Sequence, residues 1–430
     1  MRQAIGRLAS ASSARERSRV NVSPVLALAG LAAIGLLATR LPHPKWPHVA
    51  SLDPVLAAGG PLVAAGLVLG GGGIGFLGPA LLRALAPLTA LALGWIGAGL
   101  GARFEWRYAR RIPRDVWLLA MTAASAAGVA VALLAALLAR ALPALGAAWV
   151  PRLPSVLTLG AVAAASGPGA VTLVLQAAGI RERIAQSVFT LVAALQTTAG
   201  ALLLTLPFAL HRPHAGGAAG AGLGWLAWLV FAVGSGVLVG MMFVSLSRLR
   251  PARTDVGWAL LAAMLFGTGV GYAAELSPFV VCALAASLIV NVSPRRHLVR
   301  QLLADWERPL NALFLVVVGA LLALPLSAAW IVPAAIVLAG VRVAAAWGAV
   351  RVGRELLGLR AFPPNVGLAT VAQGTAALAF GLNFAILYGG EGTLLTTVVL
   401  LVALAQLVAP RLFPFALPLP VPTPVPEGAR

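Results

Sequence analysis

Apolar runs, each about long enough to cross a bilayer, recur through the chain with short polar loops between them. They lie near 24–39, 54–70, 84–102, 116–139, 153–178, 184–208, 223–246, 256–274, 277–293, 308–326, 329–350, 364–388 and 393–410. The pattern predicts an all-α polytopic membrane protein of thirteen transmembrane helices. The first run is followed by Thr39-Arg40-Leu41-Pro42 and not by a small-residue cleavage site, so it is expected to stay as a span. Residues 1–22, with five arginines, read as a basic arm, and 413–430 as a proline-rich tail. The His/Pro/Gly/Ala-rich loop near 209–222 reads as a connector between two halves.

Two runs are interrupted at their centres. In the fifth, Ser166-Gly167-Pro168-Gly169 falls mid-run. Proline lacks an amide hydrogen and its ring clashes with the preceding turn, and glycine is a poor helix former. In the twelfth, Gln373-Gly374-Thr375 sits near the middle. A break frees backbone groups at membrane depth, which is tolerable only under cover of protein or in a watery cavity. The two runs are seven apart, so they cross in opposite directions. Runs 1–6 (about 24–208) and 8–13 (about 256–410) then form two inverted six-helix repeats joined by a linker helix at 223–246. In this plan paired broken helices cross at the midplane and build a solute site.

Composition narrows the classes. Of 430 residues 60% are hydrophobic and 10% charged, far below the charge of a soluble domain. The +19 net charge does not indicate nucleic acid, because the basic residues sit in short loops. Counted by side, 21 arginines and lysines follow odd-numbered spans and 9 lie on the other face. The first face, with the C-terminus, is expected to be cytoplasmic, in the cell (inner) membrane. The single Cys282 lies in an apolar run and reads as a buried thiol. His211 and His214, three apart in a loop, read as solvated, and no metal site or cofactor is expected. No His/Asp/Cys cluster lies at one depth, which argues against an enzyme.

The interrupted run 5 with its partner, SVLTLGAVAAASGPGAVTLVLQAAGIRERIAQSVFTLVAALQTTAGALLLTL, resembles the core of the cation/proton antiporter superfamily. That superfamily includes the sodium/proton exchangers and potassium-efflux antiporters. Its members carry Thr-Asp-Pro in the broken helix and Asn-Asp or Asp-Asp in the next. Here those positions read Ser166-Gly167-Pro168 and Gln196-Thr197, so both acids are replaced. Gln373-Gly374-Thr375 matches the family's glycine-centred second break. Gly94 to Arg111, Leu276 to Pro294 and Glu307 to Gly319 extend the likeness over roughly 24–410. The resemblance implies alternating-access secondary transport, with a scaffold domain and a mobile core containing spans 5, 6, 11 and 12, a monovalent cation (Na⁺ or K⁺) and protons as partners, and a homodimer in the lipid bilayer.

The residues expected at the ion or solute site are Gln196, Thr197, Ser166, Arg342, Gln373 and Thr375. Arg342 is the one charged side chain near the middle of an apolar run. A mid-membrane arginine faces the protein interior. It is either a site residue, beside the acidic positions as the resemblance implies, or a brace on carbonyls freed by the breaks. All twelve acids fall at span ends or in loops. Gln196, Thr197 and Ser166 supply oxygens but do not titrate near neutrality. Three readings follow: cation/proton antiport with a degenerate site, the same fold carrying an anionic or polar solute, or a non-transporting scaffold or sensor.

Overall fold

A computed structural model describes residues 59–70, 73–149, 152–177, 183–210, 225–249, 252–322, 330–356, 358, 362–388 and 392–416. The basic arm, the first run and the His211/His214 loop lie outside the described residues. The secondary structure of the described residues is helix, with no strand among them. In chain order they form α1 (Gly60–Leu69), α2 (Pro79–Ala84), α3 (Ala86–Gly101), α4 (Trp106–Ala109), α5 (Arg114–Ala141), α6 (Pro143–Ala148), α7 (Arg152–Ala164), α8 (Pro168–Ala177), α9 (Arg183–Leu210) and α10 (Trp225–Leu249). Then come α11 (Arg253–Ala273), α12 (Pro278–Val292), α13 (Arg296–Ala320), α14 (Ile331–Leu356), a 3₁₀ turn (Val366–Thr370), α15 (Thr375–Tyr388) and α16 (Thr393–Ala416). Among the described residues, seven helical segments are long and apolar enough to cross a membrane, with α7 and α8 counted together.

Several boundaries differ from the apolar runs. Helix α13 starts at Arg296, well before the run at 308–326, because its first half is amphipathic. There Val299 and Leu303 are buried while Asp305 and Glu307 face out. Helix α16 runs on through Pro410 to Ala416 and takes in the start of the expected tail. Phe413 is fully buried there and meets the Phe189 ring edge-on at 6.3 Å, contact that outweighs the hydrogen bond each proline removes.

The packing repeats itself with inversion. Helix α3 packs on α12 as α13 packs on α1, and α5 packs on α9 as α14 packs on α16. Both members of the first pair of contacts are backbone-close. A Cβ on Gly97 of α3 would strike Phe279 of α12, and one on Gly319 of α13 would strike Val63 of α1. Across the symmetry axis, α5 packs on α14 and α3 on α13.

Two bodies can be told apart by their apolar cores. One cluster, from Val116 to Ala416, draws only on α5, α8, α9, α14, the 3₁₀ turn with the residues just after it, and α16. A second, from Leu91 to Leu303, lies within α3, α10, α11, α12, α13 and the start of the loop after α3. A third cluster bridges them and includes Phe279 and Phe380. The first body, with α7 and α15, holds both broken helices. The other is a frame around it.

Candidate functional site

The breaks fall where expected, shifted by a residue or two. Helix α7 stops at Ala164, residues 165–167 belong to no helix, and Pro168 opens α8. Proline is at home in the first turn of a helix, where its missing amide costs nothing, so it starts the second half and does not itself lie in the gap. The other break spans 371–374, and Thr375 is already the first residue of α15. The chain before it is a 3₁₀ turn and not the continuous α-helix that the run from 364 suggests.

The breaks meet. The amide of Gly167 donates to the carbonyl of Ala372 at 3.0 Å. A Cβ on Gly167 would sit 2.6 Å from Cα of Gly374 and closer still to its nitrogen, so only glycine permits this crossing. Gly167 lies in the break of the first repeat and Gly374 in that of the second.

Several of the carbonyls freed at the crossing are claimed by polar side chains. Arg342 of α14, 4% exposed, spreads its guanidinium over three of them. Its Nε donates to Ala163 O at 2.9 Å, one terminal nitrogen to Val371 O at 2.7 Å, and the other to Ala165 O at 3.0 Å. Gln373 Nε2 donates to Val162 O at 2.6 Å and to Ala165 O at 3.3 Å. Ser166 Oγ donates to Thr370 O at 2.8 Å and Ala372 O at 3.0 Å. Thr197 Oγ1 lies on Ser166 O, with a second carbonyl, Ala193 O, at 2.8 Å. Gln196 Nε2 donates to Thr370 Oγ1 at 3.2 Å.

Five of the six expected site residues therefore converge on one crossing, and all five are buried. Thr375 lies beside it, half-buried at the start of α15. Arg342 and Gln196 reach adjacent residues, Val371 and Thr370, and are not bonded to each other. Of the two readings of Arg342, the geometry displays the brace. No acid among the described residues touches the crossing, and no group of three or more His, Cys, Asp or Glu among them could hold a metal ion.

Two participants were not singled out in the sequence. Gln406 of α16, 2% exposed, donates from Nε2 to Gln373 O. Thr370 supplies both a carbonyl and a hydroxyl. A lone glutamine in VVLLVALAQLVAP was the available signal. Gln406 is also the approximate repeat mate of Thr197: each takes the carbonyl just before the crossing glycine of its own repeat.

A cleft of about 750 Å³ opens between the two bodies. Thr172, Gln186, Ser187 and Thr190 line one wall, and Gly99, Ala102, Leu303 and Ala304 the other. Ala194 of α9, which also lines the cleft, lies two positions before Gln196. The Thr172 and Thr190 hydroxyls are paired at 3.2 Å. Arg103, Glu105, Arg300 and Glu307 give the cleft a charged rim. Glu105 joins Arg300 at 2.7 Å and Arg296 at 3.2 Å. Burial pushes its carboxyl up, but the Arg300 hydrogen bond and the charges of Arg296, Arg300 and His297 hold it below the ordinary carboxylate range. This contact puts the loops after spans 3 and 9 on one face, as the span count requires.

The opposite face of the crossing is closed. Phe279 of α12 meets Phe380 of α15 edge-on at 5.3 Å. Ser277, at the N-cap of α12, donates to Asn383 Oδ1 of α15 at 3.0 Å. Tyr388 OH donates to Pro207 O at 2.9 Å.

The sequence matches no protein-family model and no curated protein. Among solved structures, the fold is similar to that of the sodium proton antiporter MjNhaP1 from Methanocaldococcus jannaschii at pH 8. The likeness covers 90% of this chain and 96% of that one, with a TM-score of 0.62 at 12% sequence identity. This chain has the cation/proton antiporter fold.

Proposed function

We propose that the protein is a secondary transporter that works by alternating access, exchanging a monovalent cation for protons through an acid-free and therefore weak site. The observation that carries this reading is the cleft between two separately cored bodies. It leads along hydroxyl and amide side chains toward the crossing, and Phe279 with Phe380 shuts the far side. A body holding both broken helices, moving against a frame, exposes the crossing to each face in turn. The cleft face, with the paired loops around Glu105 and Arg300, is the arginine-rich and cytoplasmic one, so the form described here opens inward. The membrane is the cell membrane and the assembly a homodimer.

A second reading is favoured by Arg342. Its charge has carbonyl partners but no carboxylate. A unit charge about 4 Å from another costs about 4 kcal/mol even at an effective dielectric of ~20. A bare cation is thus disfavoured beside it, and an anionic or polar solute is not.

The test is flux in proteoliposomes under imposed Na⁺, K⁺, Li⁺ and proton gradients. Slow cation-dependent proton movement is expected, faster in Thr197→Asp, which returns an acid to the crossing. Proton-independent uptake of an anion would transfer the assignment to the second reading. No solute movement of any kind would leave a scaffold. Labelling of single cysteines at 103–114 by an impermeant reagent on intact cells, in a Cys282→Ala background, would reverse the orientation.

A further inference from the structure

The body that holds the broken helices carries a second groove, apart from the cleft. It has a volume of about 400 Å³ and lies between α14 and α16, with Leu368 of the 3₁₀ turn beside them. Its lining runs from Ile336 to Trp347 on α14 and from Leu401 to Leu412 on α16. At a rise of about 1.5 Å per residue, each wall is roughly 16 Å long. That is more than half of the ~30 Å hydrocarbon core of a bilayer. Both helices are long and apolar enough to cross the membrane. Ile336, Gly340 and Ala344, one turn apart along the lining, are exposed, so the groove opens sideways. No protein atom lies within 4 Å of where a Cβ on Gly340 would stand.

The lining side chains are apolar but for two, and both of those are engaged. The Arg342 guanidinium holds three carbonyls of the crossing. The Trp347 ring nitrogen donates to Asn365 Oδ1 at 2.9 Å, and Asn365 Nδ2 donates to Phe415 O at 3.2 Å, which ties α14 to α16 at one end. That end is basic. Arg351, one turn beyond Trp347, holds its guanidinium 5.3 Å from the centre of that ring. Arg354 continues the same helix face, and its Nε is buried without a hydrogen-bond partner. Arg411 of α16 is next to the lining residue Leu412. Among the described residues of the two helices, Glu355 is the one acid there.

A long apolar slot with a basic mouth suits an amphiphile with a negative head. Basic pockets between spanning helices take anionic lipid head groups. A second copy of the chain fits worse. A two-fold axis normal to the bilayer would set Arg351 and Arg411 of one copy against those of the other. We propose that the groove binds one anionic phospholipid from the leaflet at the Arg351 end. One acyl chain lies between α14 and α16, and Arg351, Arg354 and Arg411 hold the phosphate. The lipid covers the flank of the body on which Arg342 braces the crossing. The proposal rests on α14 and α16 spanning the bilayer, and not on any solute being moved.

The test uses the full chain in nanodiscs and two phospholipids with a photoactivatable diazirine in the acyl chain, a phosphatidylglycerol and a phosphatidylcholine. Adducts mapped by mass spectrometry are expected on Gly340, Ala344 and Val408, several-fold more from phosphatidylglycerol. Gly340→Trp fills the opening, where its Cβ meets no protein atom, and is expected to remove that excess. The double variant Arg351→Gln, Arg354→Gln is expected to remove it as well. Equal labelling by the two lipids in the unmodified chain overturns the proposal. So does an excess that survives Gly340→Trp, which leaves lipid on the surface arginines alone. Cross-links between the grooves of two copies, in place of lipid adducts, make this a subunit interface and overturn it too. Ala344→Leu narrows the same opening and replaces Gly340→Trp if that variant does not fold.

Discussion

Arg342 reaches three carbonyls that no helix can satisfy, and that is its principal work. Removing it leaves the Ala163 and Val371 carbonyls buried without that donor, while Ala165 O keeps only Gln373 Nε2. Arg342→Met is expected to cost about 3–5 kcal/mol, read as a fall in Tm in detergent. Arg342→Lys keeps the charge but lacks the planar fork and is expected to fall between. A Met variant with unchanged Tm and abolished flux would make Arg342 a solute ligand instead. Gly167 gives the sharper contrast. Gly167→Ala drives a Cβ into the backbone of Gly374 and is expected to prevent accumulation of folded protein. Gly374→Ala meets only the Gly167 Cα, at 3.0 Å, and is expected to accumulate with a lowered Tm. Comparable yields of the two would mean that the crossing is looser than described. At this scale the sequence displayed the breaks and the one mid-span arginine. It did not display Gln406 or Thr370, because a single amide or hydroxyl in an apolar run carries no periodic signal. The partners of all these groups lie far along the chain, as Ser166 and Thr370 do.

Helices α12 and α15 close the face opposite the cleft, and their contact is thin. It amounts to the Phe279–Phe380 pair, the Ser277–Asn383 hydrogen bond and the apolar residues around them. An edge-to-face aromatic pair is worth about 0.5–1.5 kcal/mol beyond its buried area, enough to bias two conformations without locking either. Phe380→Ala is therefore expected to populate the opposite-facing form. A cysteine placed at Leu387 should then label from outside several-fold faster than in the parent. Equal rates would show that the seal lies elsewhere. The number and order of helices were legible in the sequence, since hydropathy is a local property. The extent of α13 and α16 was not. Amphipathic turns near a membrane surface blend into loops by composition, and a proline such as Pro410 reads as an end until burial of Phe413 is known.

For the whole molecule, the inverted arrangement followed from the odd separation of two interrupted runs, and the packing repeats it pair by pair. The division into a frame and an inner body was expected for spans 5, 6, 11 and 12, but the place of span 4 in the inner body was not, since that depends on which helices share a core. That division gives the unpaired Arg342 an electrical meaning. The guanidinium sits on the inner body, so a swing of that body under the proposed cycle carries a fixed positive charge through part of the transmembrane field. One charge crossing the full field is worth about 2.3 kcal/mol per 100 mV. A voltage negative inside would then hold the empty carrier toward the cytoplasm and tax its return. Charge displacement recorded on a solid-supported membrane without any solute gradient is the expected signature, absent from Arg342→Met. A carrier that has given up its acids has, on this account, become a voltage-sensing one.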